Sequence, residues 1–72
     1  MKIVFSGWEG TEPTELGVIE YKAGKVTTTG VGDSMKDEIL EGVNLKDESA
    51  VKDAFVKAED RYNGSYFNAT LI

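Results

Sequence analysis

Cysteine and histidine are both absent from this 72-residue sequence. The lack of cysteine excludes a disulfide framework, a thiolate metal site and a thiol nucleophile. The lack of histidine removes the usual general base and the commonest transition-metal ligand, which excludes Ser-His and Cys-His catalysis. The remaining groups, such as carboxylates and lysines, catalyse only with strongly shifted pKa values, and such shifts need burial. We therefore expect a protein that is not an enzyme and that has no catalytic residue, cofactor or metal ion.

Basic residues are scarce. Eight lysines and arginines stand against thirteen aspartates and glutamates, which gives a net charge of −5. The cationic residues are scattered from Lys2 to Arg61 without forming a cluster. This balance has the wrong sign for neutralising phosphates across a basic face. We expect protein partners, and no direct binding of nucleic acid or of an anionic membrane.

Long hydrophobic runs are missing as well. The run Ile3–Phe5 has three apolar residues, whereas the apolar region of a signal peptide needs roughly 7–15. No stretch is long enough to span a bilayer. We predict a protein of the cytoplasm, or one that enters a virion from the cytoplasm.

The composition that is present is that of one globular domain covering residues 1–72. Hydrophobic residues make up 40% and charged residues 29% of the sequence, which is typical of folded domains. A chain of this length buries only about 60% of the surface that its unfolded form exposes. Its core is therefore thin, and we expect contacts with a partner or with further copies of the chain to matter for its stability.

The first half of the chain has the pattern of β-strands. Strands are predicted near residues 2–6, 16–21 and 25–29. The last two form a hairpin, because Gly24 in the turn Lys22–Lys25 supplies the positive φ that short hairpin loops need. Ile19 and Tyr21 fall on one side of this hairpin and Val18 on the other, so we expect one buried and one wet face.

The second half has the pattern of two helices. The first is predicted at 34–41, with Ser34 and Asp37 at the spacing of a capping box and Gly42 as its end. The second is predicted at 47–62. Its apolar stripe, at positions i, i+4, i+7 and i+11, consists of Val51, Phe55, Ala58 and Tyr62.

Alternation in the tail predicts a final strand at 66–71. Both helices carry an apolar stripe that needs a common surface, and one face of the sheet is available. The predicted fold class is therefore α+β, in which a small, mostly antiparallel sheet built on the β-hairpin packs against two helices.

Two groups of residues invite a chemical interpretation. Glycines before a helix, as in Gly30-Val31-Gly32, occur in phosphate-binding loops, but the Lys-Ser/Thr of a P-loop is missing and Asp33 brings negative charge. Asp33, Asp37, Glu38 and Glu41 offer carboxylate oxygens to a hard cation, but they lack the pattern of a calcium loop. We interpret the first as a β-to-α connection and the second as a solvated helix face.

The interface candidates are aromatic or apolar residues near a strand end and in the tail: Trp8, Tyr66, Phe67 and Leu71. Trp8 begins a predicted loop, residues 8–14, because Pro13 and its neighbours favour turns. Its indole either covers the sheet or is an exposed anchor, as tryptophan often is in interfaces. The tail strand pairs either within the chain or with a neighbouring subunit.

Two segments carry a resemblance to known proteins. One is Phe5-Ser6-Gly7 with the later stretch from Leu16 to Val26, an "LG" strand followed by a Lys-Ala-Gly turn; the other runs from Arg61 to Ala69. Together they resemble small uncharacterised proteins of tailed phages that are encoded among virion genes. The resemblance implies a structural part of a capsid, neck or tail, and it transfers no site residues.

These observations favour a non-catalytic structural or assembly protein that acts through protein–protein contacts, with a phage virion as one setting. The thin core, the aromatic residues and the terminal strand support this hypothesis. The alternative is an acidic inhibitor that covers a nucleic-acid-binding surface of a larger protein, to which its negative charge would steer it.

Overall fold

The computed structural model of the chain describes residues 1–9, 11–63 and 68–72. These residues form four strands and two helices: β1 (Lys2–Glu9), β2 (Glu12–Lys22), β3 (Lys25–Gly30), α1 (Gly32–Ile39), α2 (Glu48–Tyr62) and β4 (Asn68–Leu71). The strands make one sheet in the order β3-β2-β1-β4, and all neighbours are antiparallel. The predicted α+β fold is confirmed.

Strand β4 pairs with β1 of its own chain, with Ile3 opposite Leu71 and Phe5 opposite Ala69. It is therefore an edge strand of this sheet. Residues 66 and 67 of the predicted strand lie outside the described part of the chain.

The two faces of the sheet differ as the alternation predicts. Ile19 and Tyr21 are buried beneath the helices, whereas Val18 is half-buried and Glu20 is exposed on the opposite face. The hairpin turn is also confirmed: Lys22 pairs with Lys25. Both turn residues have positive φ, 52° at Ala23 and 79° at Gly24, which is the geometry of a type I′ turn.

The segment 8–14 is not a loop, contrary to expectation. Strand β1 continues to Glu9 and pairs with β2 from Glu12, with Trp8 opposite Pro13. Proline is tolerated here because β3 pairs with β2 from Gly17 onward and does not reach Pro13. Pro13 therefore pairs with β1 alone, and its missing N–H is not required for a hydrogen bond to β3. A β-bulge at Leu16 marks the start of this extension.

Helix α1 begins earlier than predicted, and the capping box at Ser34 is wrong. Val31 is the N-cap residue, and no side chain caps the helix. Instead the Val31 carbonyl accepts hydrogen bonds from the amides of Ser34 and Met35, at 3.2 and 3.0 Å. Helix formation starts at once because the chain turns at Gly30, where φ is 55°. At the other end, α1 stops at Ile39, ahead of Gly42.

Helix α2 agrees with the prediction to within one residue. Asp47 is its N-cap, and the carboxylate accepts a hydrogen bond from the amide of Ala50 at 3.2 Å. Its predicted stripe faces the sheet. Val51 and Phe55 are fully buried and Ala58 nearly so, while Tyr62 is half-buried at the end of the stripe.

The core lies between this stripe and the helix-facing side of the sheet. Its largest fully buried side chains are Phe5, Phe55, Ile3, Ile19 and Val51. The Phe5 and Tyr62 rings meet edge to face, with their centroids 6.3 Å apart. The hydroxyl of Tyr21 donates to the carbonyl of Leu45 at 2.6 Å, which fixes the connection between the two helices to the sheet.

Candidate functional site

The interface candidates occupy different positions. Leu71 lies on β4, where its half-buried side chain packs against the core. Trp8 lies in the β1 extension opposite Pro13, and its side chain is outside the described part. Tyr66 and Phe67 are outside it entirely. Leu71 and Trp8 are not brought together, because Leu71 lies opposite Ile3, at the other end of β1 from Trp8.

The β1–β2 extension is a two-stranded hairpin that projects beyond the four-stranded part of the sheet. We define the arm as Gly7–Glu9 together with Glu12–Thr14. Among the described residues, pairing with β4 ends at Ser6 and pairing with β3 ends at Gly17, so no described strand lies on either side of the arm. Thr11, Glu12 and Pro13 are exposed. The arm projects by roughly 10 Å, given about 3.3 Å per strand residue, and the molecule measures 39 Å along its longest axis and about 20 Å across.

The outer edge of β4 is covered by a side chain from α2. Lys2 and Ile72 exchange two backbone hydrogen bonds, of 3.2 and 2.8 Å. By the alternation of an antiparallel ladder, the amide of the preceding residue, Leu71, points away from β1. This amide donates to Oε2 of Glu59 at 2.7 Å. The carboxylate satisfies an edge donor and obstructs the addition of another strand at this point.

The sheet face opposite the helices is mostly polar. Its described side chains include Lys2, Ser6, Glu20, Thr27, Thr29 and Thr70, with Val4 and Val18 half-buried among them. One solvated face is normal for an antiparallel sheet. This face does not by itself indicate a binding site.

An open groove of about 460 Å³ separates α1 from α2. An ion pair between Arg61 and Glu38, 2.7 Å long, crosses one end of it. The guanidinium of Arg61 also lies 5.4 Å from the centre of the Tyr62 ring, within the range of a cation–π interaction. Both members of the ion pair are largely exposed, so its contribution to stability is small.

The hydroxyl of Tyr62 is buried beside this ion pair. Burial raises the pKa of Tyr62 above its usual range; the hydrogen bond and negative charge of Glu38 act in the same direction, and the charge of Arg61 opposes them. The phenol is therefore neutral at physiological pH. The hydrogen bond between Tyr62 on α2 and Glu38 on α1 joins the two helices, and we call this contact the helix clamp.

The acidic residues around α1 have separate surroundings. Asp33 accepts a hydrogen bond from the Thr28 hydroxyl, and Glu38 pairs with Arg61. Asp37 and Glu41 are exposed. Within residues 1–9, 11–63 and 68–72, carboxylates do not gather in threes to form a possible metal site.

The glycines before α1 are explained by close backbone packing. A Cβ on Gly32 would lie 2.2 Å from the carbonyl oxygen of Val18, and one on Gly17 would lie 2.4 Å from that of Thr29. The turn into α1 therefore rests directly on β2. This packing accounts for the glycine pair as a β-to-α connection and leaves a phosphate-loop interpretation without support.

Sequence reasoning missed the arm, because Pro13 and its neighbours favour turns and so predicted a loop at 8–14. The signal for it is weak: Thr11 and Thr14 favour strands, but only the pairing partner distinguishes an extended hairpin from a loop.

Comparisons with protein-family models, curated proteins and solved structures gave no significant match. The resemblance to tailed-phage proteins therefore stays a prediction. In the part of the chain that the structure describes, no helix is long and apolar enough to cross a membrane.

Proposed function

We propose that this protein is a non-catalytic assembly protein, which acts through protein–protein contacts as a structural part of a larger particle. The observation that carries the proposal is the arm: a two-stranded hairpin that extends beyond the four-stranded part of the sheet, away from a small core, and that pairs with no third strand among the described residues.

The energetics of the arm support this role. Fixing one backbone residue costs roughly 1–2 kcal/mol, whereas a hydrogen bond between the two strands contributes only about 0.5–1.5 kcal/mol. An isolated two-stranded hairpin is marginally stable for this reason, and further packing is needed to hold it. In the proposed assembly, a partner molecule supplies that packing.

Trp8 is the residue of the arm best suited to anchor such a contact. Tryptophan is enriched among residues that dominate interface energies, and Trp8 lies within the arm, opposite Pro13. The resemblance to phage proteins makes a virion the first assembly to examine.

The test is Trp8→Ala, with Val56→Ala as its control. Val56 is an exposed apolar residue on α2, 46% accessible and outside the arm. Light scattering after size-exclusion chromatography measures self-association, and pull-down from lysate of the source measures partner binding. We expect Trp8→Ala to abolish association and Val56→Ala to leave it unchanged.

Two results would contradict the proposal. One is a clean monomer without any partner. The other is loss of association from a single alanine substitution at Asp33, Asp37, Glu38 or Glu41, with Trp8→Ala fully active. A melting curve for each variant separates loss of binding from loss of folding.

The alternative function, an acidic inhibitor of a nucleic-acid-binding protein, has one observation in its favour. Nine of the thirteen acidic residues lie between residues 32 and 62, against five cationic ones, so the helical layer carries most of the negative charge. Binding by this layer should weaken steeply when ionic strength rises from about 0.05 to about 0.5 M. Binding that depends on Trp8 and changes little with salt favours the assembly role.

A further inference from the structure

The two edge strands of the sheet, β4 and β3, differ in how their outward backbone groups are satisfied. At the β4 edge, Glu59 accepts the outward amide of Leu71. The other edge is β3, Lys25–Gly30, with the sequence KVTTTG. It contains β-branched residues and no proline, and charge is confined to its first residue. Edges of this kind accept an added strand unless something covers them.

The register shows which β3 groups face outward. The Met1 amine donates to the Tyr21 carbonyl at 3.1 Å, and the Tyr21 amide donates to the Met1 carbonyl at 2.8 Å. The amide and carbonyl of Tyr21 therefore point toward β1. Its partner on β3, Val26, has its amide and carbonyl pointing away from β2, toward the open edge of the sheet. Two residues on, Thr28 does the same. No acceptor in the described chain receives the amide of Val26 or of Thr28.

A groove of about 360 Å³ runs beside this edge, between β3 and α1. Val26, Leu40 and Leu45 give it an apolar lining, and Lys36, Asp37 and Glu41 stand around it. Val26 points to the helix side of the sheet. A residue placed opposite Val26 on an added strand would point to the same side, because paired residues share a face. Its side chain would enter the groove.

We propose that the β3 edge binds an extended, basic segment of a partner protein. The segment adds as an antiparallel fifth strand, exchanges hydrogen bonds with Val26 and Thr28, and inserts an apolar side chain into the groove. Backbone hydrogen bonds supply affinity, and the groove selects the side chain that it accepts, as in other complexes formed by strand addition. The site is separate from the arm.

Charge identifies the chemistry of the segment. The residue opposite Thr28 would lie next to Asp33, whose carboxylate the Thr28 hydroxyl already contacts. Asp37 and Glu41 add negative charge beside the groove against the single Lys36. A lysine or arginine opposite Thr28 is therefore favoured. In an antiparallel strand it comes two positions before the apolar residue.

A second copy of this chain fits the edge less well. Two β3 strands paired about Thr28 would bring two Asp33 carboxylates and two α1 N-termini toward each other. Like charges and like ends of helix dipoles repel. This argument selects a different protein as the partner.

The experiment is selection of peptides from a displayed library of random decapeptides on the full chain, followed by affinity measurements on three forms. Thr28→Pro removes the outward amide and leaves the bonds between β2 and β3 intact. Thr28→Val loses the same hydroxyl and keeps the amide, so it is the matched control. We expect peptides with Lys or Arg two positions before an apolar residue. They should bind the parent chain and Thr28→Val alike, and Thr28→Pro about tenfold more weakly, as for loss of one well-placed hydrogen bond.

Amide exchange on the intact chain gives a second readout if Thr28→Pro does not fold. The amides of Val26 and Thr28 should exchange fast in the free protein and become protected on peptide binding. Three outcomes would overturn the proposal: the selection enriches no peptide, the enriched peptides share an acidic consensus, or a folded Thr28→Pro variant binds them as well as the parent does. So would a concentration-dependent dimer that protects these amides. Trp8→Ala should keep the peptide affinity, which separates this site from the proposed role of the arm.

Discussion

Replacing Phe55 with alanine tests the central packing of the fold. The Phe55 side chain is 0% exposed on the helix face that meets the sheet. Removing a buried phenyl group costs about 3–5 kcal/mol, through lost burial and the cavity left behind. The whole domain of 72 residues has an unfolding free energy of about 4–11 kcal/mol, at 0.05–0.15 kcal/mol per residue. Phe55→Ala should therefore remove a large part of the stability.

The measurement is thermal and urea unfolding followed by circular dichroism. A domain of this size loses about 4–8 °C of melting temperature per kcal/mol, so we expect a decrease of at least about 12 °C. Val56→Ala is the control, since Val56 is the next residue and is 46% exposed; it should change the unfolding free energy by less than about 0.5 kcal/mol. A Phe55→Ala variant that melts within a few degrees of the parent would refute the packing described for α2.

Three further predictions concern the turn, the edge of the sheet and the helix clamp. Ala23→Asn should stabilise the protein by about 1 kcal/mol in urea unfolding, because Ala23 has a φ of 52° that asparagine tolerates better; destabilisation would contradict the turn geometry. Glu59→Ala should lower the unfolding free energy by about 1–3 kcal/mol, because it leaves the Leu71 amide without its acceptor. The control Asp60→Ala should be nearly neutral. Equal effects of the two substitutions would argue against the edge contact. Burial and Glu38 raise the pKa of Tyr62, so the folded state holds the phenolic proton more tightly than the unfolded state. The stability that this shift provides is present below about pH 10 and is lost as pH rises through the higher folded pKa. Above about pH 10, the unfolding free energy of Tyr62→Phe should therefore decrease less steeply with pH than that of the parent. Identical pH profiles of the two proteins would contradict this prediction.

Elements set by local patterns were predicted well. Helix α2 was predicted at 47–62 and runs over Glu48–Tyr62, because its apolar stripe is a repeat of closely spaced residues. The turn at Ala23 and Gly24 was predicted for the same reason. Periodicity and turn chemistry are local properties, so the sequence displays them directly.

Features set by distant residues were predicted poorly. The sequence predicts a loop at 8–14 because Pro13 breaks strands in most settings. The proline is tolerated in the arm because β3 pairs with β2 from Gly17 onward and does not reach Pro13. The capping box failed because the chain turns at Gly30 and packs Gly32 close to the Val18 carbonyl, so that α1 starts before Ser34. Both errors come from contacts between residues far apart in sequence.

By itself, the sequence determined the fold class, the faces of α2 and of the central hairpin, and the absence of cysteine and histidine. It determined these because periodicity and residue type are properties of neighbouring positions. Only the tertiary structure decided which strand pairs with β4, the contact of Glu59 with the edge amide of Leu71, and which amides of β3 point outward at the other edge. Strand order and edge contacts join residues distant along the chain, and their geometry exists only once the sheet and the helices have packed together.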